Sequence, residues 1–108
     1  PLAVLEAPLL NEEQELIVDL GEEACVNCIV LSEFLEEGEF IRHFRICAWP
    51  VEQGRRLSVY VGHQVGHKAI CTFPAFVSRR FVLGFDAQGR RDCLRSVKVY
   101  YTKNQYGF

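Results

Sequence analysis

Short apolar runs, separated by small groups of Gly, Asn, Asp and Glu, recur along the whole chain and constrain its fold more than any other feature. Each run is about five to eight residues long, which suits a β-strand and is too short for most helices. Only residues 33–39 have the pattern of a helical turn, and Gly38 ends that pattern early. The runs predict strands at 15–20, 26–33, 41–49, 57–62, 69–73, 80–85 and 96–102.

Turn-forming residues divide these runs at 21–23, 36–38, 53–55 and 86–89. In the run 41–49, Phe44, Ile46 and Ala48 alternate with their neighbours, so we expect one face of that strand to lie in the core. The length of 108 residues, 49% of them hydrophobic, is that of one domain with one core. About seven short strands in such a chain are typical of an all-β fold, an antiparallel β-sandwich.

The charge balance argues against two classes of partner. Twelve Lys and Arg against 14 Asp and Glu give a net charge of -2, so we expect no nucleic-acid partner and no membrane partner. No apolar run approaches the roughly 20 residues that cross a bilayer. The chain opens on Pro1 without a basic or long apolar start, so we expect no targeting segment and a chain cut from a larger protein.

The five cysteines are an odd number, so at least one thiol stays unpaired. Most lie in apolar runs, which favours buried or idle thiols over a disulfide. Cys25 and Cys28, with His63 and His67, have the residue types of a zinc site. A strand points positions i and i+3 to opposite faces, and residues 24–31 lack a Gly or Pro to make a turn, so we expect no metal there. Likewise, no loop indicates calcium, and no cofactor is predicted.

The order of motifs resembles the carboxy-terminal β-sandwich of family 29 α-L-fucosidases, a relative of the discoidin (F5/8 type C) and galactose-binding-like domains. Two motifs, spread over residues 15–103, carry this resemblance. The first motif is a strand ending in Asp-Leu-Gly, then an Asn-containing strand that ends in Glu, then a Gly-x-x-Ile segment at the start of the next strand. The second motif is a Gly followed by a segment like Ile-Gly-x-Lys and by a strand that ends in Phe-Pro. The matching residues are Asp19, Leu20, Gly21, Asn27, Val30, Leu31, Glu33, Gly38, Ile41, Phe44 and Trp49, then Gly62, Val65, Gly66, His67, Lys68, Phe73 and Pro74.

This resemblance implies a discoidin-like jelly roll over residues 15–108, preceded by a divergent or truncated segment at 1–14. It implies a non-catalytic accessory domain of an α-L-fucosidase-type glycoside hydrolase, whose partners are the catalytic barrel and fucosylated or galactosylated glycans. A parent of that kind would be extracellular, periplasmic or lysosomal. The alternative is a discoidin-type interaction or adhesion module without affinity for sugar.

A sugar site on a β-sandwich usually combines an aromatic ring with charged or amide groups. We expect it in the loop 62–68, where glycines let a ligand approach the backbone, together with the later loop around residue 90. Its candidate side chains are His63, Gln64, His67, Lys68, Arg90 and Asp92. The other interpretation is that loop 62–68 only closes the sandwich or docks on the barrel. Trp49, at a strand end, is interpreted as a core or edge residue rather than a sugar platform.

No catalytic residue is predicted in this chain. Hydrolysis of a glycosidic bond needs two carboxylates about 5 to 9 Å apart across the bond. The available acidic groups lie in or beside turns, where they are interpreted as solubilising residues: Glu22 and Glu23; Glu36, Glu37 and Glu39; Asp86 and Asp92. The spacing of His63 and the Arg90-Arg91-Asp92 segment resembles the pattern of fucose-binding F-type lectins only superficially, because the order of the strands around it differs.

Overall fold

The computed structural model describes residues 1–36, 38–50 and 54–103. Its six strands are β1 (Ala3–Glu6), β2 (Glu15–Glu33), β3 (His43–Trp49), β4 (Leu57–Gly62), β5 (Ala69–Asp86) and β6 (Leu94–Tyr100). All of them pair antiparallel, and none of the described residues is helical, which confirms the all-β prediction. Within the described ranges, no helix is long and apolar enough to cross a membrane.

The strands form one continuous sheet in the order β1-β6-β2-β5-β3-β4. The second half of β2 pairs with β6 on one side and with the first half of β5 on the other. The first half of β2 pairs with the second half of β5, and that half of β5 also pairs with β3. The sheet therefore has two layers: layer I contains β1, β6, 28–33 and 69–72, and layer II contains 15–19, 80–86, β3 and β4. Residues from both layers share one hydrophobic core, as in the predicted β-sandwich.

The inward-facing residues of β3 confirm the predicted alternation. Phe44, Ile46 and Ala48 are at most 2% exposed, while the intervening side chains point outward. On β5, the paired strand, Phe81 and Leu83 are fully buried in the same core. Burial of large apolar side chains of this kind supplies the main driving force for folding, at about 25 cal/mol per Å² of apolar surface.

One predicted turn is a bulge within a long strand. The sequence predicted separate strands at 15–20 and 26–33, but β2 runs through both. Between Asp19 and Ala24 the register of β2 with β5 shifts, and the strand does not end. Gly21 has a φ of 87°, and its N–H donates to Asp19 Oδ1 at 2.8 Å. The strand continues through this glycine with positive φ, so the predicted division between two strands at 21–23 is wrong.

The predicted strands 69–73 and 80–85 are also one strand, β5. Pro74 lies exposed within it, between Thr72 and Phe76, and the register with β2 shifts in this stretch. A proline has no N–H for the ladder, so it is tolerated where pairing is already interrupted. The chain therefore continues past Pro74 from layer I into layer II.

The remaining elements differ from prediction mainly at their ends. The strand predicted at 41–49 begins at His43, the one at 57–62 matches β4, and the one at 96–102 begins and ends two residues earlier, as β6. Residues 86–89 make the predicted turn. The short helical turn predicted at 33–39 includes Glu37, which lies outside the described residues. Glu33 still belongs to β2, and the Gly38 N–H closes a single turn on Leu35 O at 3.1 Å. The turns predicted at 36–38 and 53–55 include Glu37 and Gln53, which lie outside the described residues.

The strand β1 lies at the edge of layer I, in a segment where the pattern predicted no strand. It pairs with β6, and the Leu2 N–H donates to Val99 O at 2.7 Å. Leu10, farther along the same segment, is fully buried. Because β1 and β6 are antiparallel, the start of β1 lies beside the end of β6. The end of β1 and the start of β6 lie at the opposite end of the sandwich, which we call the loop end.

Candidate functional site

Among the described residues, four connections meet at the loop end: 7–14, 34–36 with 38–42, 63–68 and 87–93. Backbone hydrogen bonds join them outside the regular ladders. The Leu10 N–H donates to Arg91 O at 2.9 Å, and the Phe34 N–H donates to Cys93 O at 2.8 Å. These bonds fix the loops relative to each other, so side chains that are distant in sequence share one surface.

An open cleft of about 610 Å³ lies between three of these loops. Its apolar wall contains Phe34, Phe40 and Leu9, and Leu9 is 65% exposed. Its polar groups belong to Glu36, Arg90 and Asp92, and the lining is completed by Ala7 and Cys93. We call this site the Arg90 cleft. It combines aromatic and aliphatic surface with hydrogen-bonding groups, which is the composition of a small-molecule site.

Asp92 and Phe40 both hold Arg90 within the cleft. Its Nε lies 2.8 Å from Asp92 Oδ1, and its guanidinium carbon lies 4.5 Å above the centre of the Phe40 ring. Both partners restrict the rotamers of a long side chain, so the guanidinium is oriented before any ligand arrives. The hydrogen bond from Arg90 holds the pKa of the Asp92 carboxyl below its usual range, so that carboxylate is ionised at neutral pH.

Gln14 fixes the turn that carries Arg90. Its Nε2 donates to Arg90 O at 2.5 Å, and its Oε1 accepts from the N–H groups of Ala87 and Gly89, each at 3.2 Å. One side chain therefore satisfies three backbone groups of the 87–93 loop. Sequence reasoning missed Gln14, because it lies 76 residues from Arg90 and no local pattern links the two.

Glu33 joins two other loops. Its side chain is buried, with Glu33 only 3% exposed. Its Oε2 accepts hydrogen bonds from the backbone N–H groups of Phe40 at 2.7 Å and Ile41 at 3.2 Å. Its Oε1 accepts from the backbone N–H of Gly66 at 3.3 Å. These contacts give the buried carboxyl group of Glu33 three backbone N–H donors, which offset the cost of its burial. Glu33 therefore positions Phe40, and with it the aromatic wall of the cleft. The motif resemblance contains Glu33, but the pattern alone assigned it no role.

The sequence-predicted site residues are brought to the same end of the molecule but not into one cavity. Arg90 and Asp92 line the Arg90 cleft. His63, Gln64, His67 and Lys68 are exposed on loop 63–68 and do not line it.

Loop 63–68 borders a different recess. His67 lines an adjacent recess of about 290 Å³ that shares Glu36 with the Arg90 cleft. The carbonyl of His67 also accepts a hydrogen bond of 2.7 Å from the Ser32 hydroxyl, which ties this loop to β2. Direct sugar contact by this loop therefore stays a prediction.

Asp92 does not have the property that the general acid of a glycoside-cleaving carboxyl pair needs. Such a pair needs one carboxyl with a raised pKa to act as general acid. Asp92 has a lowered pKa because Arg90 donates to it. Its chemistry is that of a hydrogen-bond acceptor, which suits recognition of hydroxyl groups.

All five cysteines are free thiols, and none forms a disulfide bond with another cysteine of this chain. Cys25 and Cys28 both lie in β2, where they pair with Val77 and Thr72. Burial raises the pKa of the Cys71 thiol to about 12, so this thiol stays protonated. Across the described ranges, no three His, Cys, Asp or Glu side chains converge as metal ligands would.

Trp49 lies between two arginines on the outer surface of layer II. The guanidinium carbon of Arg80, its cross-strand partner on β5, lies 4.3 Å from the ring centre, and that of Arg56 lies 5.0 Å away. Arg56 also pairs with Glu15 at 2.9 Å. The indole is therefore packed against cationic side chains and is half-buried.

Searches with known protein families and with curated proteins find no match to this chain. Solved structures do match. A Bacteroides thetaiotaomicron protein assigned as an α-L-fucosidase superposes with a TM-score of 0.80 and 27% identity over 95% of this chain. A GH29 fucosidase of Ruminococcus gnavus, solved in complex with fucose, superposes with a TM-score of 0.75 and 19% identity over 83% of this chain. This chain spans only 22% and 18% of those two chains, so the likeness is to one domain of each.

Isolated modules share the fold as well. The CBM32 module of AlyQ, solved in complex with 4,5-unsaturated mannuronic acid, superposes with a TM-score of 0.67 and 15% identity, over 92% of this chain and 76% of that module. A chitosan-binding module from a Paenibacillus chitosanase/glucanase superposes with a TM-score of 0.61 and 19% identity, over 81% and 67% of the two chains. At such identities the likeness shows the fold alone, which is a β-sandwich.

Proposed function

We propose that this chain is a non-catalytic accessory domain of an α-L-fucosidase-type glycoside hydrolase, and that it binds glycan in the Arg90 cleft while supporting the catalytic barrel. The observation that carries the proposal is the oriented Arg90–Asp92 pair beside an open aromatic and aliphatic wall. The likeness of 95% of the chain to one domain of an assigned α-L-fucosidase supports the parent enzyme.

The cleft offers both kinds of contact that a sugar needs. Phe34 and Leu9 present apolar surface to the C–H face of a pyranose ring. Arg90 donates and Asp92 accepts hydrogen bonds, so adjacent hydroxyl groups find partners of both types. Because Arg90 already lies on Phe40, little side-chain entropy is lost when a ligand binds.

A two-dimensional amide NMR titration with L-fucose, galactose and N-acetylgalactosamine tests the proposal. We expect saturable shifts at the amides of Phe34, Phe40 and Arg90, and their loss in Arg90→Ala. Arg79→Ala is a matched control, because Arg79 forms an equally short 2.8 Å pair with Asp19 on a different surface. If high millimolar concentrations of all three sugars leave the cleft amides unmoved, glycan binding in the cleft is wrong, and only the supporting role toward the catalytic barrel is left of this proposal.

A further inference from the structure

Gly84 occupies an unusual position in the middle of layer II. It lies on β5 with a strand on each side, opposite Glu15 of β2 and Arg45 of β3. Glycine weakens the interior of a strand because it loses more backbone entropy than other residues and contributes no side chain to packing. A glycine at such a position therefore calls for a reason.

The usual reasons do not apply to Gly84. Its φ is not in the left-handed region, in contrast to Gly21 and Gly89. Its register with both neighbouring strands is uninterrupted, so it does not mark a bulge. A Cβ atom built on it would meet no heavy atom within 4 Å, whereas one on Gly62 would collide with the Phe44 ring. Neither the backbone nor the packing of this chain requires glycine here, and the absent side chain leaves open space beside the strand.

The missing side chain opens a groove of about 330 Å³ on the outer surface of layer II. Glu15 and Arg45 flank Gly84 in the same row of the sheet, and His43 and Asp86 follow in the next row, with His43 Nε2 3.3 Å from Asp86 Oδ2. Val61, 54% exposed, adds an apolar wall beyond Arg45. We call this site the Gly84 groove. It shares no lining residue with the Arg90 cleft.

The dimensions and charges of the groove indicate its ligand. Glu15 and Arg45 lie on strands either side of β5, about 10 Å apart at two strand spacings, which leaves room for one six-membered sugar ring over the bare backbone of Gly84. Three carboxylates, Glu13, Glu15 and Asp86, line the groove together with the basic side chains of Arg45 and His43. Glu15 pairs with Arg56 at 2.9 Å, and Asp86 contacts His43, so the groove presents charges of both signs. A ligand that brings hydroxyl groups rather than charge therefore suits these side chains best. The geometry points to a second binding site in the Gly84 groove, for a neutral hexopyranose.

Gly84→Val separates loss of this site from loss of the fold. Valine is favoured in strands, and its Cβ enters open space, so we expect a melting temperature equal to or above that of the wild-type chain. In amide NMR titrations of the wild-type chain with galactose and with glucose, we expect saturable shifts at Gly84, Arg45 and His43 with at least one sugar. In Gly84→Val those shifts should be lost. Thr72→Val is the matched control, since Thr72 is exposed on the other half of β5, in layer I.

The outcomes of this experiment are distinct from those for the proposed function. Groove amides that stay unmoved at high millimolar galactose and glucose overturn the second site, even if the amides of the Arg90 cleft shift. Groove shifts that persist in a folded Gly84→Val variant overturn it too, because the ring would then not lie on the bare backbone. Groove shifts that survive in Arg90→Ala support a site independent of the cleft, whatever happens to the cleft itself.

Discussion

Asn27 and Thr102 are joined by two opposed hydrogen bonds. Asn27 Nδ2 donates to Thr102 O at 2.9 Å, and the Thr102 N–H donates to Asn27 Oδ1 at 2.9 Å. The Asn27 side chain is buried, so this amide takes the place of a strand partner just after β6 ends. The chain is thereby held against β2 two residues beyond the last strand.

Replacing Asn27 by alanine should lower the free energy of unfolding by about 1–3 kcal/mol, since it leaves the N–H and C=O of Thr102 without these partners. Urea denaturation measures the difference. Thr102→Val is the control: it removes only the 3.3 Å hydroxyl contact and leaves both backbone bonds in place, so its effect should be well under half as large. Equal effects of the two substitutions would contradict the role of the amide.

Glu33→Ala should be the most destabilising single change at the loop end. It leaves three backbone N–H groups without their acceptor, and the expected loss is at least about 3 kcal/mol in urea denaturation. Glu36→Ala, also acidic but with an exposed side chain, should change stability by less than about 0.5 kcal/mol. In a folded Glu33→Gln variant, the amide proton resonances of Phe40 and Gly66 should move upfield. Unmoved resonances would exclude the hydrogen bonds from these two N–H groups to the Glu33 carboxyl group.

The ion pair in the Arg90 cleft should be visible in a pH titration. Hydrogen bonding from Arg90 lowers the pKa of Asp92 from its ordinary 3.8, so the pair contributes to stability above that value and loses its contribution as the pH falls through the folded-state pKa. Carboxyl carbon NMR should show Asp92 titrating below its ordinary range, and Arg90→Ala should restore an ordinary value. Asp19, whose pKa is lowered mainly by Arg79, is an internal reference that Arg90→Ala should leave unchanged.

The thiols should differ in reactivity according to burial. With its pKa raised to about 12 by burial, Cys71 stays a thiol at pH 8 and should resist alkylation until the chain unfolds. Cys28 and Cys93 are also buried, while Cys25 and Cys47 are half-buried and should react first. Iodoacetamide labelling followed by peptide mass spectrometry measures the order. Because the folded-state pKa of Cys71 exceeds its unfolded value of 9.0, stability should also decrease as the pH rises above about 9.

The fold could be predicted from the sequence because alternation and turn residues report directly on strands. The number of strands could not, since a glycine with positive φ serves a turn and a bulge equally well. Gly21 follows Asp19 in a pattern that suits either outcome, and only the long-range pairing of β2 with β5 selects the bulge. The strand β1 escaped prediction because its four residues owe their extended form to pairing with β6.

The candidate site was predictable only in part, for a similar reason. Arg90 and Asp92 lie two residues apart and carry complementary charges, so a local pattern contains them both. Phe40 joins them through space, and sequence reasoning assigned it to the entry of a strand. The orienting contacts of Gln14 and Glu33 are made to backbone groups, which every residue possesses, so no residue pattern could indicate them.

The arrangement of β1 and β6 determines how the domain can be tethered. A segment attached before residue 1 enters beside Val99, and the Arg90 cleft begins at Cys93, about 20 Å away along six residues of extended strand. A carrier joined at the amino terminus therefore leaves the cleft accessible. With the glycan binding proposed for the cleft, two copies immobilised this way on one carrier would reach the same polysaccharide, and their combined avidity would exceed the affinity of either copy alone.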